Sequence, residues 1–206
     1  MCRHSVRFYD DAYPAEEAGD FIVAGLQEGD ACIVMLTLPH RQAVERHLAA
    51  RGVSIHGKNP NAGSYSAIDT NEALTQLMVG GRLDTACAAA SLGALLNPAT
   101  HGSQGRVRLV GDPAPALFAM GNHDDTFALE ALVDGLAGAN NAAVFCAYPI
   151  QDFCGSGHTS ALLKVSAEHS TLGFPKGLWA QGYLQAGPAP GNGALPVCTR
   201  TGAALQ

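Results

Sequence analysis

The strongest constraint on the fold is an alternation between two apolar periodicities along the chain. Short runs rich in β-branched and aromatic residues indicate strands, and the stretches between them carry apolar residues at helical spacing. The run Ala31–Leu36 is apolar throughout, as expected of a strand covered on both faces of a parallel sheet. Strands that alternate with helices predict βαβ units and a mostly parallel sheet flanked by helices. The predicted strands lie at residues 6–9, 31–36, 65–68, 107–110 and 144–147.

Three features mark the ends of the predicted helices. Pro39 suits a first helical turn, where its missing N–H has no hydrogen bond to lose. The string Asp69-Thr-Asn-Glu72 is typical of a capping box, and Gly52 suits the residue that follows a helix. The apolar helical faces are formed by Ala18, Phe21, Ile22 and Leu26; Val44 and Leu48; Leu74, Leu77 and Met78; Leu83, Ala86, Cys87, Ala90 and Ala94; and Phe127, Ala128, Ala131, Leu132 and Leu136.

Length and composition predict one α/β domain followed by a segment of a different kind. The chain has 206 residues, of which 47% are hydrophobic and 15% charged, which is typical of a globular domain with a substantial core. We place this domain at residues 4–170. Residues 171–206 are rich in glycine and proline and contain Trp179, the single tryptophan. They form either a flexible tail or a segment that packs Leu178 and Trp179 against the domain or a neighbour.

The net charge and the shortness of the apolar runs argue against several classes of partner. The net charge of −6 provides no basic surface for nucleic acid, so we expect no direct nucleic-acid binding. The first residues contain no apolar signal segment, and no run of about 20 apolar residues spans a bilayer. Scattered cysteines, two of them in apolar runs, fit a reducing compartment. We therefore expect a cytoplasmic protein with no membrane partner.

The string Cys154-Gly-Ser-Gly-His-Thr-Ser160 resembles the end of a phosphate-binding loop, but two positions argue against that role. A working loop needs a glycine where this chain has Asp152, and a lysine where it has His158. An aspartate repels phosphate, and a neutral imidazole replaces an ammonium poorly. The simpler interpretation is a Gly-Ser loop, so we predict no nucleotide cofactor.

Neither a metal site nor a catalytic nucleophile follows from the spacing of residues. The only closely spaced Cys/His pairs, Cys154/His158 and Cys2/His4, lie at opposite ends of the domain sequence. No CxxC motif, which is typical of structural zinc sites, occurs. No G-x-S-x-G nucleophile motif occurs either. Cys146 lies in a predicted core strand, where burial makes a thiol unreactive. We therefore assign no metal ligands and no catalytic residues.

The carboxyl ends of the predicted strands suggest a binding pocket. In open α/β sheets ligands bind beyond these ends, where polar residues of this chain gather. Histidine and tyrosine would supply directional hydrogen bonds, and the thiol an apolar wall. The alternative is that some of these residues, Asp69 and Thr37 above all, only cap helices. The predicted ligand-binding residues are His4, Tyr9, His40, Asp69, Asp112, Cys146 and Tyr148.

An ordered set of short sequence motifs runs through residues 4–170. Its members are His4-Ser-Val-Arg-Phe-Tyr9, Phe21-Ile-Val-Ala-Gly-Leu26, Leu38-Pro-His-Arg41, Met78-Val-Gly-Gly-Arg-Leu-Asp84, Arg106-Val-Arg-Leu-Val-Gly-Asp112, Leu129-Glu130, Cys146-Ala-Tyr-Pro149 and Glu168-His169-Ser170. Taken together, they resemble the MEDS domains (methanogen/methylotroph, DcmR-type sensory domains).

The resemblance implies a RecA- or KaiC-like fold without a working nucleotide loop, and a sensory role. Members of the family are suggested to recognise small organic molecules. They act with histidine kinases, anti-sigma-type kinases or DNA-binding regulators.

Together these arguments predict a ligand-sensing regulatory domain that is not an enzyme. Two alternatives stay open. One is an enzyme, nucleotide-dependent or a hydrolase, that uses the loop at residues 155–160. The other is a protein-interaction module without a ligand. The sequence leaves homo-oligomer formation open.

Overall fold

A computed structural model describes residues 4–55, 63–101, 105–154, 159–175, 184–185 and 197–198. The strands are β1 (His4–Tyr9), β2 (Ala31–Leu36), β3 (Ser64–Asp69), β4 (Met78–Val79), β5 (Arg82–Leu83), β6 (Val107–Gly111), β7 (Ala143–Pro149), β8 (Thr171–Gly173), β9 (Leu184–Gln185) and β10 (Val197–Cys198). The helices are α1 (Ala15–Glu28), α2 (Leu38–Ala50), α3 (Thr70–Leu77), α4 (Thr85–Leu95), α5 (Pro113–Ala119), α6 (His123–Ala139) and α7 (Thr159–Ala167).

Six strands form one parallel sheet in the order β3-β2-β6-β7-β1-β8. All strands expected from the sequence belong to it, which confirms the predicted α/β fold with a parallel sheet between helices. Because every strand runs in the same direction, the carboxyl ends of β1, β2, β3, β6 and β7 meet at one edge.

Side chains alternate between the two faces of the sheet and build two cores. On one face, which we call the first face, helices α1 and α2 cover residues such as Val34, Val110 and Phe145. On the opposite, second face, helices α3 to α7 cover the larger core. That core includes Met35, Leu109, Val144, Cys146 and Tyr148.

Local sequence signals explain several element boundaries. The carboxylate of Asp69 accepts hydrogen bonds from the backbone N–H of Asn71 and Glu72, so the predicted cap of α3 is confirmed. Pro39 lies in the first turn of α2, and Gly52 follows that helix with a φ of 71°. The sequence pattern was wrong about Met78 and Leu83, which were expected on helices. They pair in a hairpin whose turn is Gly80-Gly81, because both glycines adopt positive φ.

One buried ion pair fixes the start of β6 to the end of α1. The guanidinium of Arg108 is 2% exposed and its Nε donates to Oδ2 of Asp30 over 2.7 Å. A second guanidinium nitrogen bonds Glu28, and the group lies 5.3 Å from the ring centre of Phe21. Because the charge is paired and hydrogen-bonded, the low-dielectric interior tolerates it.

The sheet continues into the segment expected to be a tail. Strand β8 pairs with β1, and the ring of Phe174 stacks on Phe8 with centroids 4.9 Å apart. Strands β9 and β10 pair with each other. Leu178 and Trp179 lie outside the described residues, as do residues 155–158 at the centre of the Gly-Ser loop. Within the described ranges no helix has the length and apolar character needed to cross a bilayer.

Candidate functional site

A small apolar cavity lies on the second face of the sheet, close to the carboxyl ends of the central strands. Its volume is about 30 Å³. Since about 10–15 Å³ admits one water, the cavity has room for about two or three waters. Its polar wall residues are Glu130 and Cys146. The apolar wall is formed by Met35, Leu77, Leu92, Leu109, Gly111, Pro113, Ala114, Leu129, Val133 and Val144.

Four buried side chains converge at the polar end of this cavity, and we call them the buried cluster: His4, Glu130, Cys146 and His169. Their ligand-type atoms all lie within 4.8 Å of one another. The Nε2 atom of His4 lies 3.3 Å from Oε2 of Glu130 and 3.5 Å from Sγ of Cys146. The Nε2 atom of His169 lies 3.6 Å from the same Glu130 oxygen.

The fold supplies each member of the buried cluster from a different element. His4 begins β1, Glu130 lies on α6, Cys146 lies on β7, and His169 follows α7. Ser170, which follows His169, holds that histidine beside His4, because its backbone N–H and its hydroxyl both donate to the carbonyl of His4. The cluster therefore forms only when the sheet is assembled.

A second ring of contacts orients the cluster. The Nδ1–H of His169 donates to the carbonyl of Val165 over 2.6 Å. The Nδ1 atom of His4 faces Oδ1 of Asp134 at 3.7 Å. The hydroxyl of Tyr148 donates to Oε1 of Glu130.

The cluster concentrates opposing electrostatic effects. Burial raises the pKa of the Cys146 thiol well above its usual value, and the carboxylate of Glu130 adds to this rise. Burial also raises the pKa of Glu130, but the hydrogen bond from His4 and the charge of His169 outweigh it, so that pKa is lowered overall. Burial lowers the pKa of His169. A neutral thiol is a weak nucleophile, which argues against catalysis by Cys146 as the cluster stands.

A separate polar group lies at the carboxyl ends of β1, β2 and β6, and we call it the rim group: Tyr9, Tyr13, Thr37, His40 and Asp112. Oδ2 of Asp112 accepts from the backbone N–H of Thr37 at 3.1 Å and from Nδ1–H of His40 at 2.7 Å. The ring of Tyr13 stacks on His40 with centroids 4.0 Å apart. Tyr9 meets Tyr13 edge to face.

Two buried polar atoms of the rim group lack a hydrogen-bond partner among the described residues: Oδ1 of Asp112 and the hydroxyl of Tyr13. Burial, and then the nearby charge of Asp112, raises the pKa of both Tyr13 and Tyr9. A buried polar atom without a partner is costly in free energy. A ligand or a water could therefore donate to Oδ1 of Asp112 and accept from the hydroxyl of Tyr13.

The structure divides the seven predicted pocket residues into three sets. Tyr9, His40 and Asp112 lie in the rim group. His4, Cys146 and Tyr148 lie in or against the buried cluster, and of all seven only Cys146 forms part of the cavity wall. Asp69 caps α3, the alternative that the sequence had left open for it.

Sequence reasoning missed three residues that the structure brings to the site. Glu130 lies between Leu129 and Val133 on the buried side of α6, and a carboxylate on an apolar helical face could have drawn attention to it. His169 lies beyond the last predicted helix, and only strand pairing across β1 brings it to His4. Tyr13 lies in the loop before α1, where no periodic signal exists.

Comparison with known families gives a match over most of the chain. Residues 3–164, which are more than half of the chain, match the model of a family described as MEthanogen/methylotroph, DcmR Sensory domain. No curated protein and no solved structure matches the chain.

Proposed function

Because this chain belongs to the MEDS family of sensory domains, we propose that it binds a small organic molecule in the apolar cavity and signals to a regulatory partner. The observation that carries the proposal is the cavity itself. Its walls are apolar except for one carboxylate and one thiol, Glu130 and Cys146. Binding sites for small molecules typically combine apolar walls with a few placed polar groups.

The size of the cavity limits the ligand. A volume of about 30 Å³ suits a molecule of only a few non-hydrogen atoms. The best small ligands gain about 1.5 kcal/mol per non-hydrogen atom, so three atoms contribute about 4.5 kcal/mol. That free energy corresponds to a dissociation constant of about 0.5 mM. We therefore expect a sensor that responds to a small molecule present at high concentration.

The position of the cavity supports a route for signalling. Leu77 of α3, Leu92 of α4 and Val133 of α6 face strands of the sheet across it. A ligand that fills this space favours one spacing between helices and sheet, and only such a difference in affinity between two states transmits a signal. Val79 in the hairpin between α3 and α4 is 64% exposed and offers an apolar contact to a partner.

The partner classes are those associated with the family: a histidine kinase, an anti-sigma-type kinase or a DNA-binding regulator. We propose no enzymatic activity. The raised pKa of the buried Cys146 thiol supports this view, because it disfavours the thiolate that a nucleophile requires.

Ligand binding can be tested by thermal unfolding of the full chain in millimolar short alcohols and alkanethiols, with xenon as an apolar probe. We expect at least one series to raise the melting temperature until its members outgrow the cavity. Ala114→Val should abolish this rise, since Ala114 lines the cavity. The exposed Ala119 of the same helix provides the control Ala119→Val, which should leave the rise unchanged.

Two results would contradict the proposal. The first is the absence of any rise, for xenon as well as the organic series. The second is an equal rise in wild type and Ala114→Val, which would place binding elsewhere. A rise with Mg-ATP instead would favour the enzyme alternative.

A further inference from the structure

We propose that the buried cluster is a metal site in which His4, Glu130, Cys146 and His169 bind one Zn²⁺ ion. The proposal does not depend on an organic ligand. It would add a metal centre at the polar end of the cavity, because Glu130 and Cys146 belong to both.

The distances between the cluster atoms fit tetrahedral coordination. Zinc bonds of about 2.0–2.3 Å place the ligand atoms of a tetrahedron about 3.3–3.8 Å apart. Of the six spacings in the cluster, three lie in this range at 3.3, 3.5 and 3.6 Å, and a fourth is 3.9 Å. The first three join Nε2 of His4 to Glu130, Nε2 of His4 to Cys146, and Nε2 of His169 to Glu130. The fourth joins Sγ of Cys146 to Glu130. The two that join His169 to His4 and to Cys146 are no longer than 4.8 Å, so His169 would move slightly inward on binding.

The hydrogen bond of His169 leaves a lone pair directed at the cluster. A carbonyl oxygen can only accept, so Nδ1 of His169 carries the proton that bonds Val165. In the neutral ring, Nε2 therefore carries no proton, and its lone pair faces the carboxylate of Glu130. This atom is fully buried and has no hydrogen-bond partner in the described part of the chain. A cation between these atoms would convert a repulsive contact into two bonds.

The surrounding contacts of His169 and Glu130 are those that metal-binding residues usually have. A ligating histidine typically donates its other ring N–H to a carbonyl or carboxylate, and ligating carboxylates are themselves hydrogen-bonded. His169 donates to Val165, and Glu130 accepts from Tyr148. Nδ1 of His4 faces the carboxylate of Asp134 at 3.7 Å, which is longer than a hydrogen bond.

The charges also balance. On binding, the metal displaces the thiol proton of Cys146 to water, and the resulting thiolate and the carboxylate of Glu130 neutralise a divalent cation. Both histidines bind in their neutral form. With four protein ligands, the site has no open position, which is typical of structural zinc rather than catalytic zinc. Thiolate, imidazole and carboxylate ligands in tetrahedral geometry favour zinc among the common cations.

The test uses the full chain without a histidine tag, purified, stripped of metal and titrated with Co²⁺. We expect one equivalent to bind with a thiolate-to-cobalt charge-transfer band and tetrahedral d–d bands, and Zn²⁺ to displace it. Cys146→Ser should lose the charge-transfer band, and His169→Gln should weaken binding at least about tenfold. The controls are Cys87→Ser, an exposed free thiol, and His101→Gln, whose ring bonds a backbone carbonyl. Both should retain the wild-type spectrum.

A second measurement does not depend on the folding of any variant. X-ray absorption of the zinc-loaded wild-type chain should give one sulfur at about 2.3 Å and three nitrogen or oxygen neighbours at about 2.0 Å. A shell without sulfur, a shell with several sulfurs, or the absence of stoichiometric cobalt binding would each overturn the proposal. Because no organic ligand is present, failure here leaves the cavity proposal to its own test.

Discussion

The Nδ1–H of His40 donates a 2.7 Å hydrogen bond to Oδ2 of Asp112, which lies 72 residues later in the chain. This bond attaches the first turn of α2 to the carboxyl end of β6. It also leaves the carboxylate uneven, because Oδ2 receives several donors while Oδ1 has none among the described residues.

Replacement of His40 should destabilise the rim group. His40→Ala removes the bond to Asp112 and the stacking on Tyr13, and we expect a loss of about 1–2 kcal/mol in the free energy of unfolding. Chemical denaturation measures it. His47 of the same helix pairs with an exposed aspartate, so breaking that pair from its exposed side with Asp20→Asn should leave the stability nearly unchanged. Equal losses would mean that the His40 bond contributes no more than a surface pair.

Gly25 should not tolerate a side chain. A Cβ atom there would lie 2.5 Å from Cδ of Arg108 and 2.6 Å from Sγ of Cys32, so the buried ion pair would have to shift. We expect Gly25→Ala to lower the free energy of unfolding by about 1–3 kcal/mol. A Cβ atom at Gly135 of α6 would meet no other atom within 4 Å, and Gly135→Ala should instead stabilise by about 0.5–1 kcal/mol. The opposite signs in denaturant melts are the diagnostic result.

The pair formed by Arg82 and Asp125 should give the fold a defined acid sensitivity. The hydrogen bonds from Arg82 lower the pKa of Asp125 below 3.8. A lowered native pKa stabilises the fold above the unfolded value and loses this contribution as the pH falls through the native one. Asp125→Asn should therefore be less stable than wild type at pH 7, by about 1 kcal/mol because Arg82 is largely exposed. The difference should begin to fall near pH 4, where the unfolded chain takes up its proton, and should disappear only below the native pKa of Asp125. A constant difference would contradict this origin.

The segment after residue 170 should contribute to stability. Phe174→Ala removes the ring stacked on Phe8, and we expect a loss of about 1–2 kcal/mol, less than for a fully buried phenylalanine. Leu172 is 40% exposed on β8, so Leu172→Ala should have a smaller effect in the same thermal melts. If both variants melt like wild type, β8 contributes little to the sheet.

The sequence predicts the sheet because its signals are local. Each of the five longer strands contains a run of at least four residues rich in apolar, β-branched or aromatic side chains. Capping residues such as Asp69 bond the N–H groups two and three residues later. The short hairpin at Gly80-Gly81 and the three-residue strand β8 carry too few residues for a period to be recognised. Their positions depend on pairing and on turn geometry.

The candidate site is harder to predict because its residues meet only through the strand order. His4 and Cys146 were both selected from the sequence, but the sheet order β7-β1-β8 was needed to bring His169 beside them. The spacing of these residues along the chain does not indicate that they are close together in the fold. A search for paired metal ligands close in sequence therefore cannot find a cluster whose members come from four elements.

The strand order also determines when each strand can find its neighbours during synthesis. Among the described strands, β1 pairs only with β7 and β8, and 133 residues separate Tyr9 from Ala143. At about 5–20 residues per second, a ribosome needs roughly 7–27 s to produce them. Throughout that interval β1 has neither of its neighbours, whereas β2, β3 and β6 become available to one another before it ends. The nascent chain thus passes through a stage with a half-built sheet and an exposed β-strand, a form that chaperones bind and that aggregates when they are scarce.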